Sequence, residues 1–192
     1  MIIVSSLKDF KIAVDKYKAK YLISVIDPGF IPKTPNNISH HLKLSFDDII
    51  EIKNENSIHR NYNDNQTFYQ NEPISNQILP NIDHVQQIVD FVSKWDGFSP
   101  IVIHCWCGVS RSMATAIYII FKMNPNNVES NIKYIRSKAP HANPNKLMIS
   151  MFENHLNIPG EINNGFKNYP NTVKYDCENN FAPITKFSPK EI

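Results

Sequence analysis

Apolar residues in this chain gather in short runs set apart by polar stretches rich in proline and asparagine. Residues 2–4 (Ile-Ile-Val) form a short continuous apolar run, the pattern of a buried strand. Leu7, Phe10, Val14 and Tyr17 then recur at helical spacing, with lysines and aspartates between them. Residues 21–26 (Tyr-Leu-Ile-Ser-Val-Ile) are a second apolar run, and Asp27-Pro28-Gly29 is a turn signal that stops it. A strand, a helix and a strand this close together make a compact βαβ unit and predict a parallel sheet. Residues 41–46 alternate apolar and polar, the period of a third strand. Ile82, Val85, Ile88, Val89 and Val92 share one face of a helix over 81–95, closed by Asp96-Gly97. Residues 101–104 are a fourth strand. Residues 113–123 are apolar nearly all round, as expected of a helix buried against a sheet. Two further helices are predicted over 128–137 and 146–156. The fold class implied is α/β, a three-layer sandwich with a mostly parallel central sheet of about four strands flanked by helices.

Two regions lack this patterning. Residues 51–80 are long and polar, with Tyr62, Phe68 and Tyr69 as their aromatics. They predict an excursion over the surface, anchored by those rings, with a substrate-contacting lid as the alternative. From residue 158 onward, aromatics are scattered among prolines and asparagines without a period. The expected organisation is therefore one domain over 1–157, with a polar insertion near 51–80, and a C-terminal tail over 158–192, wrapping or disordered.

Length and composition narrow the class. A chain of 192 residues can bury a core without staples. A net charge of +2 offers no electrostatic case for nucleic acid or membrane. Three cysteines do not make a disulfide framework, and the usage suits a reducing compartment. The apolar start is too short for a signal or spanning segment. A soluble, cytoplasmic protein is expected. The histidines show no spacing that suggests metal, so neither metal nor cofactor is expected.

The candidate chemistry lies between the two most apolar stretches. Residues 104–112 read His-Cys-Trp-Cys-Gly-Val-Ser-Arg-Ser. Cys105 stands at the end of a predicted strand and Arg111 at the first turn of a predicted helix, with five residues between them. Such a loop at a helix N-terminus can turn its backbone N–H groups inward and hold an anion. Cysteine attacks as a thiolate, a form favoured by a helix N-terminus and a nearby cation. Arg111 can grip two phosphate oxygens with its planar fork while loop N–H groups take the third. Gly108 permits a backbone angle that a side chain would oppose. Ser112 can donate to the sulfur and stabilise it as a leaving group. Sulfur attack on phosphorus would give a cysteinyl-phosphate.

The segment His-Cys-(five residues)-Arg-Ser, with glycine third after the cysteine, resembles the signature of cysteine-dependent protein tyrosine phosphatases. Its Gly-Val-Ser-Arg-Ser ending is most similar to dual-specificity phosphatases and their small bacterial relatives. The resemblance implies a phosphatase-like fold and gives roles to Cys105 as nucleophile, Arg111 as phosphate clamp and Ser112 as thiolate partner. His104 would orient the loop and tune Cys105. Phosphate would be held by the loop from Trp106 through Cys107, Gly108, Val109 and Ser110 to Arg111. Residues 42–48 (Leu-Lys-Leu-Ser-Phe-Asp-Asp) resemble the family's strand ending in the general acid, which would be Asp48, with Asp47 as fallback. Pro144-Asn145 resembles a pair that opens a late helix, whose asparagine braces the phosphate loop; Asn145 is equally a plain helix cap.

Some features depart from the family pattern or carry no role in it. Cys107 stands where relatives often have alanine, and Cys177 is most simply a spectator. No lysine or second arginine lies between Cys105 and Arg111, as it often does in relatives acting on inositol phosphates. The expected substrate is a phosphorylated protein or peptide carrying phosphotyrosine, with phosphoserine or phosphothreonine as further substrates. RNA 5′-triphosphatase or other non-protein phosphatase activity is the alternative, as is a non-catalytic phosphate-binding module.

Overall fold

The computed structural model describes residues 1–51, 77–175, 177–178 and 180–188. Most of the polar insertion, with Tyr62, Phe68 and Tyr69, lies outside the described residues. Strands β1 (Ile2–Ser6), β2 (Tyr21–Ile26), β3 (His40–Ser45), β4 (Ile101–Cys105) and β5 (Thr185–Phe187) form one sheet of order β3-β2-β4-β1-β5. The first four pair in parallel, and β5 runs antiparallel to β1 at the edge. The sheet is thus mostly parallel, as expected, with a fifth strand added.

Alternation along the strands sorts the core into two layers. Ile2, Val4, Ile23, Val25, Ile101 and Ile103 point to one face. That face is covered by α2 (Ile82–Ser93), α3 (Arg111–Met123), α4 (Val128–Lys138), α5 (Lys146–Leu156) and α6 (Glu161–Asn168). Ile3, Leu22 and Val102 point to the other face, against Phe10, Ala13 and Val14 of α1 (Phe10–Tyr17). This is the period of two that strand geometry imposes. Every residue of α3 from Arg111 to Phe121 is buried, which accounts for its all-round apolar sequence.

β4 slots between β1 and β2, so its carboxyl end lies in mid-sheet, flanked by the ends of both neighbours. In open α/β sheets the ligand crevice lies outside these carboxyl ends. Two structural pieces were not visible in the sequence pattern, and both come from the segment read as a tail. α6 buries Ile162 and Phe166 against the main core, and β5 buries Phe187. Gly165 lies inside α6 because α4 approaches closely there. A Cβ at Gly165 would stand 2.9 Å from Cγ1 of Ile132.

Phe187 is fully buried although its strand has three residues. Phe187→Ala is expected to cost about 3–5 kcal/mol of stability, the range for a large core ring removed without collapse. Urea unfolding measures this; a cost below about 1 kcal/mol would mean that β5 is not part of the core.

Candidate active site

The loop from Cys105 to Arg111 closes around its own sulfur. Cys105 Sγ lies 3.0 Å from Ser112 Oγ, and the Gly108 N–H points at the same sulfur over 3.3 Å. Gly108 has φ +82°, and a Cβ there would meet the Ser5 carbonyl carbon at 3.0 Å. Both the angle and the approach to the end of β1 therefore require glycine. The loop is tied from outside as well. Leu7 N–H donates to the Trp106 carbonyl, Asn143 N–H to that of Val109, and Ala182 N–H to that of Cys107.

Arg111 is 1% exposed. Its Nη2 donates to Asp27 Oδ2 at 2.7 Å, and its Nη1 donates to the Phe46 carbonyl. Asp27 follows the last residue of β2, and Phe46 follows the last residue of β3. Nε lies 3.7 Å from Asp48 Oδ2 and has no hydrogen-bond partner. Burial opposes the charge, but Cys105, Asp27 and Asp48 outweigh it and raise the guanidinium pKa. The arginine is therefore a fixed cation in the lining of the cleft, with its Nε–H unpaired by any hydrogen bond.

The two aspartates of the predicted pair separate. Asp48 lines the cleft, and its Oδ1 accepts from Ser110 Oγ at 2.7 Å and from Asn145 Nδ2 at 2.9 Å. Asp47 instead pairs with Ile78, accepting its N–H at Oδ2 over 2.6 Å and donating its own N–H to the Ile78 carbonyl. Asn145 is both cap and brace. Its Oδ1 accepts the Met148 N–H, while its Nδ2 reaches Asp48 and the Ile49 carbonyl. The brace goes to the acidic loop, while the neighbouring Asn143 is one of the residues that tie the phosphate loop.

His104 faces away from the cleft. It stacks on Phe10 with centroids 4.5 Å apart, and its Nε2 is 2.6 Å from Ser24 Oγ. That hydroxyl is 2.7 Å from His41 Nε2, and His41 Nδ1 is 2.8 Å from Thr34 Oγ1. One hydroxyl thus donates to one imidazole and accepts from the other, joining β2, β3 and β4 under the site. Burial pulls His104 down to about 4, and His41 and Arg111 add to this. Burial also pulls His41 down to about 4, helped by Lys43. Both rings are neutral at pH 7.

Cys105, Arg111, Asp27, Asp48, Ser110 and Asn145 line a cleft of about 1050 Å³. Trp106 and Cys107 also line it, Trp106 with the edge of Phe30 against its ring at 4.9 Å. Several lining residues are not legible as such in the sequence, among them Phe30, Asn143 and Tyr175, and two more stand out. Asp27 was taken for turn chemistry alone. Cys177, taken for a spectator, reaches the cleft from the tail. Burial, a hydrogen bond with Cys107, and the charge of Cys107, Cys105 and Asp48 push its thiol up to about 12.

The model of the dual specificity phosphatase catalytic domain matches residues 32–155, more than half of the chain. The chain belongs to the dual-specificity phosphatase family. It is a phosphatase of the protein tyrosine phosphatase superfamily. Solved structures agree in fold. The human tyrosine phosphatase-like serine/threonine/tyrosine-interacting protein aligns at 13% identity and TM-score 0.56, over 82% of this chain and 91% of that one. DUSP15 aligns at 14% and 0.56, over 89% and 94%. PTPMT1 in complex with PI(5)P aligns at 12% and 0.55, over 82% and 90%. No curated protein sequence matches the chain significantly. Among the described residues, no helix is long and apolar enough to cross a membrane.

The histidine relay predicts an acid-sensitive fold. The unfolded chain protonates His104 near 6.5, the folded chain near 4, so acid favours unfolding across that window. Stability is expected to be full above about pH 6.5 and to fall as pH drops towards 4. The His104 share is on the order of 3 kcal/mol. Denaturant unfolding of wild type and His104→Gln at pH 7 and 4.5 measures the difference. Equal pH dependence in the two would show that His104 is not held neutral.

Proposed function

We propose that this phosphatase hydrolyses phosphomonoesters on proteins, phosphotyrosine first and phosphoserine or phosphothreonine besides, through a cysteinyl-phosphate. The observation that carries the reading is the floor of the cleft. There one sulfur, held by Ser112 Oγ and the Gly108 N–H, shares its loop with a buried arginine whose Nε–H is unspent. A bound phosphoryl group would take that N–H and the loop amides, with sulfur in line behind phosphorus.

In the first step Cys105 sulfur bonds to phosphorus as the bond to the leaving oxygen breaks. Asp48 hands that oxygen a proton. Ser110 and Asn145 both donate to Oδ1, which leaves Oδ2 for the transfer. In the second step Asp48 takes a proton from water as the water attacks phosphorus, and sulfur leaves with the Ser112 hydroxyl to stabilise it. No step calls on a metal or a cofactor. His104, on the opposite side of β4, is a positioning residue that holds the strand end under the loop.

A phosphoinositide is the competing substrate, since one structural neighbour is a complex with PI(5)P. The neutral stretch between Cys105 and Arg111, and a cleft lining in which Asp27, Asp48 and Glu51 face Arg111 and Lys146, favour the protein reading, because a polyanionic head group calls for an excess of cations. We place the enzyme in the cytoplasm on the same footing as its proposed protein substrates.

Cys105→Ser is expected to lower turnover of an aryl phosphate and of phosphotyrosyl peptide by about three orders of magnitude or more. Turnover near the wild-type level in that variant would overturn the mechanism. Asp48→Asn should slow esters with poor leaving groups by about 100-fold and those with good ones far less. A uniform effect across leaving groups would move the acid role elsewhere. Faster hydrolysis of phosphoinositide than of any phosphopeptide would decide for the competing substrate.

A further inference from the structure

The chain after α6 runs back along the phosphate loop as a strap. Trp106 Nε1 donates to the Cys177 carbonyl at 3.3 Å, and Ala182 N–H to that of Cys107 at 3.2 Å. Where α6 gives way to this strap, a second pocket of about 490 Å³ opens against α4 and α5. The catalytic-domain match ends at residue 155, so one wall of the pocket lies beyond it. Asn143, Pro144 and Lys146 line both the pocket and the catalytic cleft, so the two share a rim.

The charge of the pocket is one-sided. Arg136, Lys146 and Lys167 line it, and among the described residues no carboxylate does. Arg136 is the fixed member of the three. Its Nε donates to the Tyr169 carbonyl at 2.6 Å and its Nη1 to that of Ala142. Its guanidinium carbon lies 4.7 Å from the centre of the Phe166 ring, which sets the plane of the fork. Nη2 makes no hydrogen bond among the described residues. Both partners are neutral carbonyls, so they orient the cation without neutralising it. The guanidinium is half-buried, and burial lowers its pKa with no acid set against it. Arg111, by contrast, has Cys105, Asp27 and Asp48 to raise its own. Glu153, in α5 below α6, is spent elsewhere: it accepts from the Gly160 N–H, the Asn163 N–H and Asn163 Nδ2. A cation withdrawn from water with no carboxylate beside it is costly, and an anionic ligand offsets that cost.

We infer that this pocket is a second oxyanion site, which holds a phosphoryl group between Arg136, Lys146 and Lys167. A tetrahedral dianion matches three cations, and a planar fork with an unused N–H suits its oxygens. The side chains of Asn163, Asn164 and Asn171 add amide donors to the same lining. Among the described residues no cysteine or histidine lines the pocket. Ser150 Oγ is occupied, donating to the Lys146 carbonyl and accepting from Asn163 Nδ2. The site therefore binds the group and does not cleave it, and binding here requires no turnover at Cys105. The phosphoryl group has two sources: free phosphate, or a second phosphorylated residue of a substrate that crosses the shared rim.

Inorganic phosphate is titrated into the isotopically labelled full chain at constant ionic strength, and backbone amide shifts are followed by NMR. Asn164 and Asn171 report this pocket; Gly108 and Val109 report the catalytic loop separately. Saturable shifts at Asn164 and Asn171 are expected below about 20 mM phosphate. Lys167→Ala should weaken them about threefold, and Arg136→Lys or Lys167→Glu about tenfold, with the loop amides of Lys167→Ala titrating as in the wild type. Should Arg136→Lys fail to fold, Lys167→Glu, at an exposed position, gives the same reading. Shifts that chloride reproduces, that do not saturate, or that survive Lys167→Glu unchanged would overturn the site. A second arm names the source. Phosphotyrosyl peptides with and without a phosphoserine at increasing spacing are titrated into the full chain carrying Cys105→Ser. Tighter binding of a doubly phosphorylated peptide, lost on adding Lys167→Glu, assigns the group to the substrate. Equal binding of all peptides, with saturable phosphate shifts, assigns it to free phosphate.

Discussion

A guanidinium buried to 1% exposure is the constraint around which this fold is arranged. Such a charge is tolerable only when paired, and removing one partner of a buried pair typically costs about 3–5 kcal/mol. Here the partners come from the ends of separate strands. Asp27 follows β2, Phe46 follows β3, and Cys105 closes β4. Those three strands are neighbours in the order β3-β2-β4, so their carboxyl ends converge on the first turn of α3. The arginine thereby fixes the relative heights of three strands, and the sheet in turn fixes the arginine. One N–H of each Nη group is spent on structure, and the Nε–H is not. That division lets one side chain serve both the core and the ligand.

The two faces of the sheet divide the remaining work. Cys105 opens towards the helical layer, while its neighbour His104 points to the α1 side, because successive strand residues alternate. Beneath Cys105 the relay Thr34–His41–Ser24–His104 replaces what would otherwise be loose polar groups with a closed chain of hydrogen bonds. Above it Asp48 is clamped by Ser110 of the phosphate loop and by Asn145, the cap of α5. Asp48 is thus positioned by the same loop that carries Cys105, which couples their geometry. The strap closes the assembly from outside and ends in β5, so the walls of the cleft and the edge of the sheet are one continuous segment.

What the sequence displayed depended on how local each signal was. The phosphate loop is contiguous, bounded by two strongly apolar stretches, and could be recognised from nine residues. Asp48 could be found by register, because a strand ending at residue 45 leaves it just beyond. Asp27 escaped notice because its partner lies 84 residues away and Asp-Pro-Gly is sufficiently explained as a turn. α6 and β5 escaped for a different reason. The helix has eight residues, one of them glycine, and the strand has three, so neither carries enough periods to register. Their stability comes from burying Ile162, Phe166 and Phe187 in a core built elsewhere. Cys177 looked idle for the same reason: nothing near it in sequence says that the strap returns to the loop.

The central claim is that the sulfur of Cys105 faces the phosphoryl group across the arginine and bonds to it. Mixing wild-type protein with a saturating aryl phosphate labelled on phosphorus, quenching in acid within milliseconds and mapping the label tests this most directly. The expected result is phosphorus bound to the protein at Cys105 and at no other residue. Label on a different side chain, or turnover with no protein-bound phosphorus in the Asp48→Asn variant, where the second step is slowed, would contradict it.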